Sequence, residues 1–136
     1  MKIAVCLDDR NGMLFAGRRQ SMDRLLREEF LKLTAGARVW MDAYTAQQFA
    51  QVQETITVDE NFLTKAETDD WCFVERGDLQ PVADRITEVV LYRWNRAYPS
   101  DRKFPMELFE NRWELVSRYD FAGSSHEQIT QEVYRL

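Results

Sequence analysis

Few side chains in this sequence are of a type and spacing that could do chemistry. Asp23 lies in Ser21-Met22-Asp23, which reads as a helix start capped by Ser21. A lone carboxylate beside apolar residues can be tuned for proton transfer, although a first-turn Asp also follows from the helix dipole alone. Thr45 opens Thr45-Ala46-Gln47-Gln48, the capping-box pattern of Thr with Gln three residues on. It therefore either caps a helix or helps a helix N-terminus meet an anion. Arg18, Arg19, Arg93 and Arg96, together with Asn95, favour a phosphate or carboxylate ligand if they converge on one cleft, and are solvated charge if they diverge. His126 sits beside Ser124, Ser125 and Glu127. A nucleophile needs its base across the fold rather than along one turn, so that cluster predicts no catalysis.

Composition narrows the classes further. One histidine cannot build a histidine-rich metal centre and no Cys-x-x-Cys occurs, so no metal is expected. Cys6 and Cys72 fall in apolar runs and read as small core residues rather than a disulfide pair. A net charge of −5, from 18 basic and 23 acidic residues, argues against nucleic acid as a partner. With 136 residues, 45 % of them hydrophobic, the chain suits one domain, 1–136, around one core. No apolar run nears the roughly 18 residues of a membrane span, and Met1-Lys2 leads directly into a strand. The expectation is a soluble, cytoplasmic protein without a membrane partner.

The elements that must position these residues are legible in outline. Val89 to Trp94, mostly apolar, predicts a mid-sheet strand covered on both faces, and Lys2 to Leu7 a second one. Between that second strand and the first helix, Asp8 to Gln20 carries two glycines and Arg18-Arg19 and reads as a binding loop. Met22, Leu25, Leu26, Phe30 and Leu33 form an amphipathic stripe closed by Ala35-Gly36. Arg38 to Asp42 reads as a strand, followed by a helix from Thr45 to about Gln51 and a strand from Glu54 to Val58. Asp59 is expected to cap a short helix with Phe62 and Leu63. A strand at Trp71 to Val74, a helix at Leu79 to Arg85, and two final strands, Trp113 to Phe121 and Glu127 to Leu136, complete the order. Strands alternate with helices and then pair off, the signature of a parallel sheet with an antiparallel edge hairpin.

That order resembles dihydrofolate reductase over nearly the whole chain. Gly12, Asp23, Met41 and Thr45, in LDDRNGMLFAGRRQSMD and VWMDAYT, fall in matching places. So do CFVERGDL, EVVLYRWN, Asp101-Arg102-Lys103-Phe104-Pro105 and Trp113. The resemblance implies a three-layer α/β fold: a central, mostly parallel sheet of about seven strands, helices on both faces, and a C-terminal antiparallel hairpin. It also implies a pterin-gripping role for Asp23.

The departures bear on function. Where the family has two glycines against the nicotinamide cofactor, this chain has Glu75-Arg76-Gly77, whose side chains need that space. The family's phosphate-holding Gly-Arg is replaced by Asp42-Ala43-Tyr44, an anion where a cation belongs. Between Thr45 and Trp71 lie only 25 residues, 46 to 70, too few for the family's adenine-cradling strand. No cofactor is predicted, and NADPH least of all. The expected protein is a divergent reductase-like domain that binds a small, anionic ligand or acts as a regulatory module, with Asp23, Trp40, Tyr44 and Arg93 around the remnant cleft and Asp42 beside them. The alternatives are an active reductase of a pteridine- or flavin-like substrate, or a hydrolase acting on a nucleotide-like one. An exposed edge strand near the C-terminal hairpin would also allow a homodimer.

Overall fold

The computed structural model describes residues 1–49 and 55–136. Lys2–Leu7 forms β1, whose alternate side chains are buried on opposite faces: Ile3, Val5 and Leu7 enter one core cluster and Ala4 the other. A strand of this kind requires cover on both sides. The following segment, expected as an open loop, folds into a small hairpin of β2 (Gly12–Phe15) and β3 (Arg18–Arg19). Asp8 organises the turn, accepting hydrogen bonds from the Arg10 and Gly12 amides.

Helix α1 spans Arg24–Leu33 and its cap is Asp23 rather than Ser21. The Asp23 carboxylate accepts from the Leu25 and Leu26 amides, the donors that a helix start leaves without an internal partner. The shift places Ser21 and Met22 outside the helix. Of the anticipated stripe only Leu26 and Phe30 are fully buried, and Met22 is half exposed.

Strand β4 (Val39–Met41) leads into α2 (Ala43–Ala46), whose cap is Asp42, accepting from the Thr45 amide at 2.8 Å. Thr45 is therefore inside the helix rather than at its cap. The expected helix end near Gln51 and strand start at Glu54 lie outside the described residues. What is described of that strand is β5, Ile56–Val58. Helix α3 (Phe62–Lys65) is preceded by Asn61 at the cap, while Asp59 accepts from the Asn61 amide one turn earlier. After β6 (Trp71–Phe73), the segment Gln80–Arg85 winds as a 3-10 turn with Pro81 at its start rather than as an α-helix. Then come β7 (Glu88–Arg93), β8 (Arg102–Lys103), a second 3-10 turn at Met106–Phe109, β9 (Glu114–Phe121) and β10 (Ile129–Arg135).

The main sheet has seven strands in the order β5-β4-β6-β1-β7-β10-β9, and β3, β2 and β8 form a second, small sheet. Neighbours from β5 to β7 run parallel, whereas β10 is antiparallel to both β7 and β9. On one face α1 lays Leu26 and Phe30 over Ala4, Phe73, Val90 and Tyr92. On the other, Phe62 and Leu63 of α3 and Val82 of the 3-10 turn cover Ile3, Val5, Val89 and Leu91. The Phe30 ring meets Phe49, Trp71 and Phe73 edge-on, with centroids 4.9 to 6.3 Å apart. Strand β9 closes the sheet as an edge, with Leu115, Val116 and Tyr119 all about half exposed. Among the described residues no helix is long and apolar enough to cross a membrane.

Candidate functional site at the carboxyl ends of β1, β6 and β7

Asp23 joins the start of α1 to the β9–β10 loop. Beyond its own helix amides it accepts from the Ser124 amide at 3.0 Å, the Ser125 amide at 2.9 Å, both serine hydroxyls, and His126 Nδ1 at 3.0 Å. The loop must come very close for this. A Cβ on Gly123 would land on the Asp23 carboxylate, so only glycine permits the approach. Burial by itself would raise the Asp23 carboxyl, but the Ser124 and Ser125 amides, His126 and the Leu26 amide outweigh it and hold the group far below the usual carboxylate range.

His126 is buried with Asp23 and stacks on Trp94, ring centroids 4.5 Å apart. An ionised carboxylate can only accept, so Nδ1 carries the hydrogen that Asp23 receives. In the neutral ring Nε2 then presents its lone pair to two hydroxyls, Ser21 Oγ at 3.2 Å and Tyr98 Oη at 2.9 Å. Sequence reasoning missed this set because its members lie up to 105 positions apart. The one signal available was a sole histidine in a Gly-Ser-Ser turn, where Ser125 Oγ also comes within 3.2 Å of its Nδ1.

A second cluster stands where β6 ends. Arg19 grips Glu75 with two bonds, Nε to Oε2 at 2.9 Å and Nη2 to Oε1 at 3.0 Å, and also donates to the Tyr44 carbonyl. The Tyr44 ring lies between two guanidinium groups, with Arg19 Cζ 4.1 Å and Arg76 Cζ 3.7 Å from its centroid, and its hydroxyl accepts from the Arg19 amide. Arg76 in turn donates to the Gly17 carbonyl at 2.8 Å. The cavity left beside Glu75, Cys6 and Trp94 measures about 10 Å³, room for roughly one water.

The other anticipated residues are not brought to one cleft. Arg93 pairs with Glu132 at 2.7 Å and donates to Asn11. Strand alternation puts it on the side of Val89 and Leu91, whereas Trp94 faces Asp23 and His126. Asn95 adopts a left-handed φ of 58° and donates to the Gln128 carbonyl and to Thr130. Trp40 packs into the core on the face away from α1 and donates its indole N–H to Asp70. Asp42 is spent as the α2 cap. Arg18 is exposed and lines a rim groove of about 490 Å³ with Phe15, Gln20, Tyr98 and Pro99. Asp8 fixes that rim, accepting from Gln20 Nε2 and from the Tyr98 amide. Cys6 and Cys72 are both free, and burial pushes the Cys72 thiol up to about 12. Among the described residues no group of three or more His, Cys, Asp or Glu side chains could hold a metal ion.

Thr45 is fully buried, and among the described residues its Oγ1 meets no hydrogen-bond partner. Thr45→Val keeps the shape and removes a desolvated hydroxyl. It should therefore raise stability by about 1 kcal/mol, read as a higher urea midpoint at unchanged slope. A lower midpoint would mean that the hydroxyl has a partner after all.

The strand order and the C-terminal hairpin define a dihydrofolate reductase-like α/β fold. Among solved structures the chain is similar to dihydrofolate reductase from Enterococcus faecalis complexed with NADP(H) and RAB-propyl, with a TM-score of 0.69 over 99 % of this chain and 95 % of that one. Identity is 12 %, so the likeness is one of fold. No family model matches the sequence, and no curated protein does.

Proposed function

We propose that this chain is a dihydrofolate reductase-like protein without NADPH-dependent reductase activity, which binds a small anionic ligand at the rim of the old cleft. One observation carries the reading: Glu75, Arg19 and Tyr44 fill the exit of β6 with their own ion pair and ring stack. By resemblance that is where bare glycine backbone would lie against nicotinamide. The residues present do not fit a dinucleotide there, because admitting it would mean breaking a bidentate pair in which Glu75 is buried. Asp42 adds a carboxylate where a phosphate would need a cation. The Enterococcus faecalis structure is described as a complex with NADP(H); the reading holds that this chain has exchanged such a site for internal packing.

The rim groove supports the ligand half of the reading. Its volume is in the range of small-molecule sites, and Phe15 and Tyr98 offer aromatic walls beside the Arg18 cation. A flat anion suits that lining. A reductase acting through Asp23 is disfavoured, since both oxygens of that carboxylate are already engaged by donors within the chain.

Thermal-shift measurements test both halves. NADPH at sub-millimolar concentration should leave the melting temperature unchanged, and clear stabilisation would refute the cofactor half. Phenyl phosphate should raise it in the wild type and not in Arg18→Ala. Equal shifts in the two proteins would remove the groove from the reading.

A further inference from the structure

We propose that Ser21 is an activated nucleophile, with His126 as its general base and Asp23 as the group that orients the base, and that it takes an acyl group from small esters bearing an anionic end. The order of contacts is that of a serine acyl-transfer triad: Ser21 Oγ lies 3.2 Å from Nε2, and Nδ1 lies 3.0 Å from Asp23 Oδ2. Both requirements of such a base are met by the surroundings. Asp23 is locked by amides from two separate segments and remains a pure acceptor, which fixes the tautomer. Trp94 stacked on the ring restricts its rotation. The residues come from opposite ends of the chain, so the arrangement is a property of the fold rather than of one turn.

Ser21 opens onto the small cavity beside Cys6, and Arg19 and Gln20 line both that cavity and the rim groove. The cavity at Ser21 holds only about one water, so an acyl group would have to reach Ser21 from the rim groove, past Arg19 and Gln20, where Arg18 would meet the anionic end of the ester. The step balances as follows. Oγ forms a bond to the carbonyl carbon, its proton passes to Nε2, the ester C–O bond breaks, and the departing alkoxide takes the proton from Nε2 to leave as an alcohol. Water can then enter by the same route in reverse and release the acid.

Tyr98 Oη competes for the same lone pair, at 2.9 Å. With one acceptor orbital between two hydroxyls, whichever donates displaces the other. Tyr98 is thus a restraint on Ser21, and its removal should raise reactivity. A purely structural hydrogen bond predicts no such gain.

The proposal takes its ester class from the rim-groove reading, but the test separates the two. The purified protein is treated with acetylsalicylate, a small acetate ester that carries a carboxylate, with salicylate release followed by fluorescence and the acetylated residue located by peptide mass spectrometry. Thermal shift with phenyl phosphate, run alongside, reports on the groove alone. Acetylation should be found at Ser21 and be absent in Ser21→Ala. Tyr98→Phe should accelerate it several-fold. His126→Asn, whose amide can still donate to Asp23, should slow it by about 10²-fold or more while the protein stays folded by circular dichroism. Label spread over other residues, label unaffected by Ser21→Ala, or an undiminished rate in His126→Asn would each overturn the proposal. Should His126→Asn fail to fold, the Tyr98→Phe rate decides: a gain supports the triad, and an unchanged or lower rate overturns it.

Discussion

Replacing Asp23 by Ala is expected to destabilise the protein by about 4 kcal/mol, near the top of what single substitutions do. The carboxylate is fully buried and serves the Leu25 and Leu26 amides, the Ser124 and Ser125 amides and His126 together. Its loss leaves several desolvated donors unpaired at once, each costing about 1–3 kcal/mol where water cannot enter and less where it can. Asn should lose less, because it retains a capping oxygen but turns an N–H toward His126. The sign of the pH effect follows from the depressed acidity. In the unfolded chain the group protonates near its ordinary 3.8, whereas in the folded protein it stays ionised well below that. Its contribution is therefore complete above about pH 5 and is lost as the pH falls through 3.8 toward the folded value. Asp8 is also held low: burial opposes ionisation, and the Gly12, Tyr98 and Arg10 amides overcome it, so it acts in the same window. Urea midpoints taken between pH 3 and pH 7 should fall steeply in the wild type and more shallowly in Asp23→Ala. Parallel profiles would show that Asp23 is not the titrating group.

Arg19→Ala should cost about 3 kcal/mol, because it strands the buried Glu75 carboxylate without its cation. The loss would come from the remaining charge more than from the pair itself, so Arg19→Met combined with Glu75→Gln should restore most of the stability. Thermal unfolding of Arg19→Met, Glu75→Gln and the double variant gives the coupling directly. A double variant as unstable as the sum of the singles would mean that Arg19 acts through Tyr44 and its other contacts rather than through Glu75.

These two variants also mark where sequence reading succeeds and where it stops. The sheet was legible because β1 and β7 are mostly apolar runs without polar alternation, and such a run demands cover on both faces whatever its neighbours are. The final hairpin was legible for the complementary reason, as two strands with only a short turn between them. The segment from Asp8 to Gln20 was not, since its pairing partner β8 lies about ninety residues away and two-residue strands leave no periodicity to read. Ser21 and Asp23 are both good capping residues, and composition alone does not choose between them. The choice is made by Ser124, Ser125 and His126, which approach from the far end of the chain. Glu75 stood out in the sequence as bulk in the wrong place, but its partner Arg19 was one of several arginines with equal claims. Arg93 had a stronger claim on paper, and alternation along β7 turned it toward Glu132 instead.

The tyrosine held between Arg19 and Arg76 has a mechanical consequence. It rivets the β3 turn, the first turn of α2 and the tail of β6 through a single ring, tying the three segments to one another. A cycle that gapes to admit a large guest and clamps down on it needs a seam, and on the proposed reading the seam here is sewn shut from inside. On the same reading, guests would meet only the margin near Phe15 and Tyr98, and would need to be small enough to come and go without the scaffold yielding.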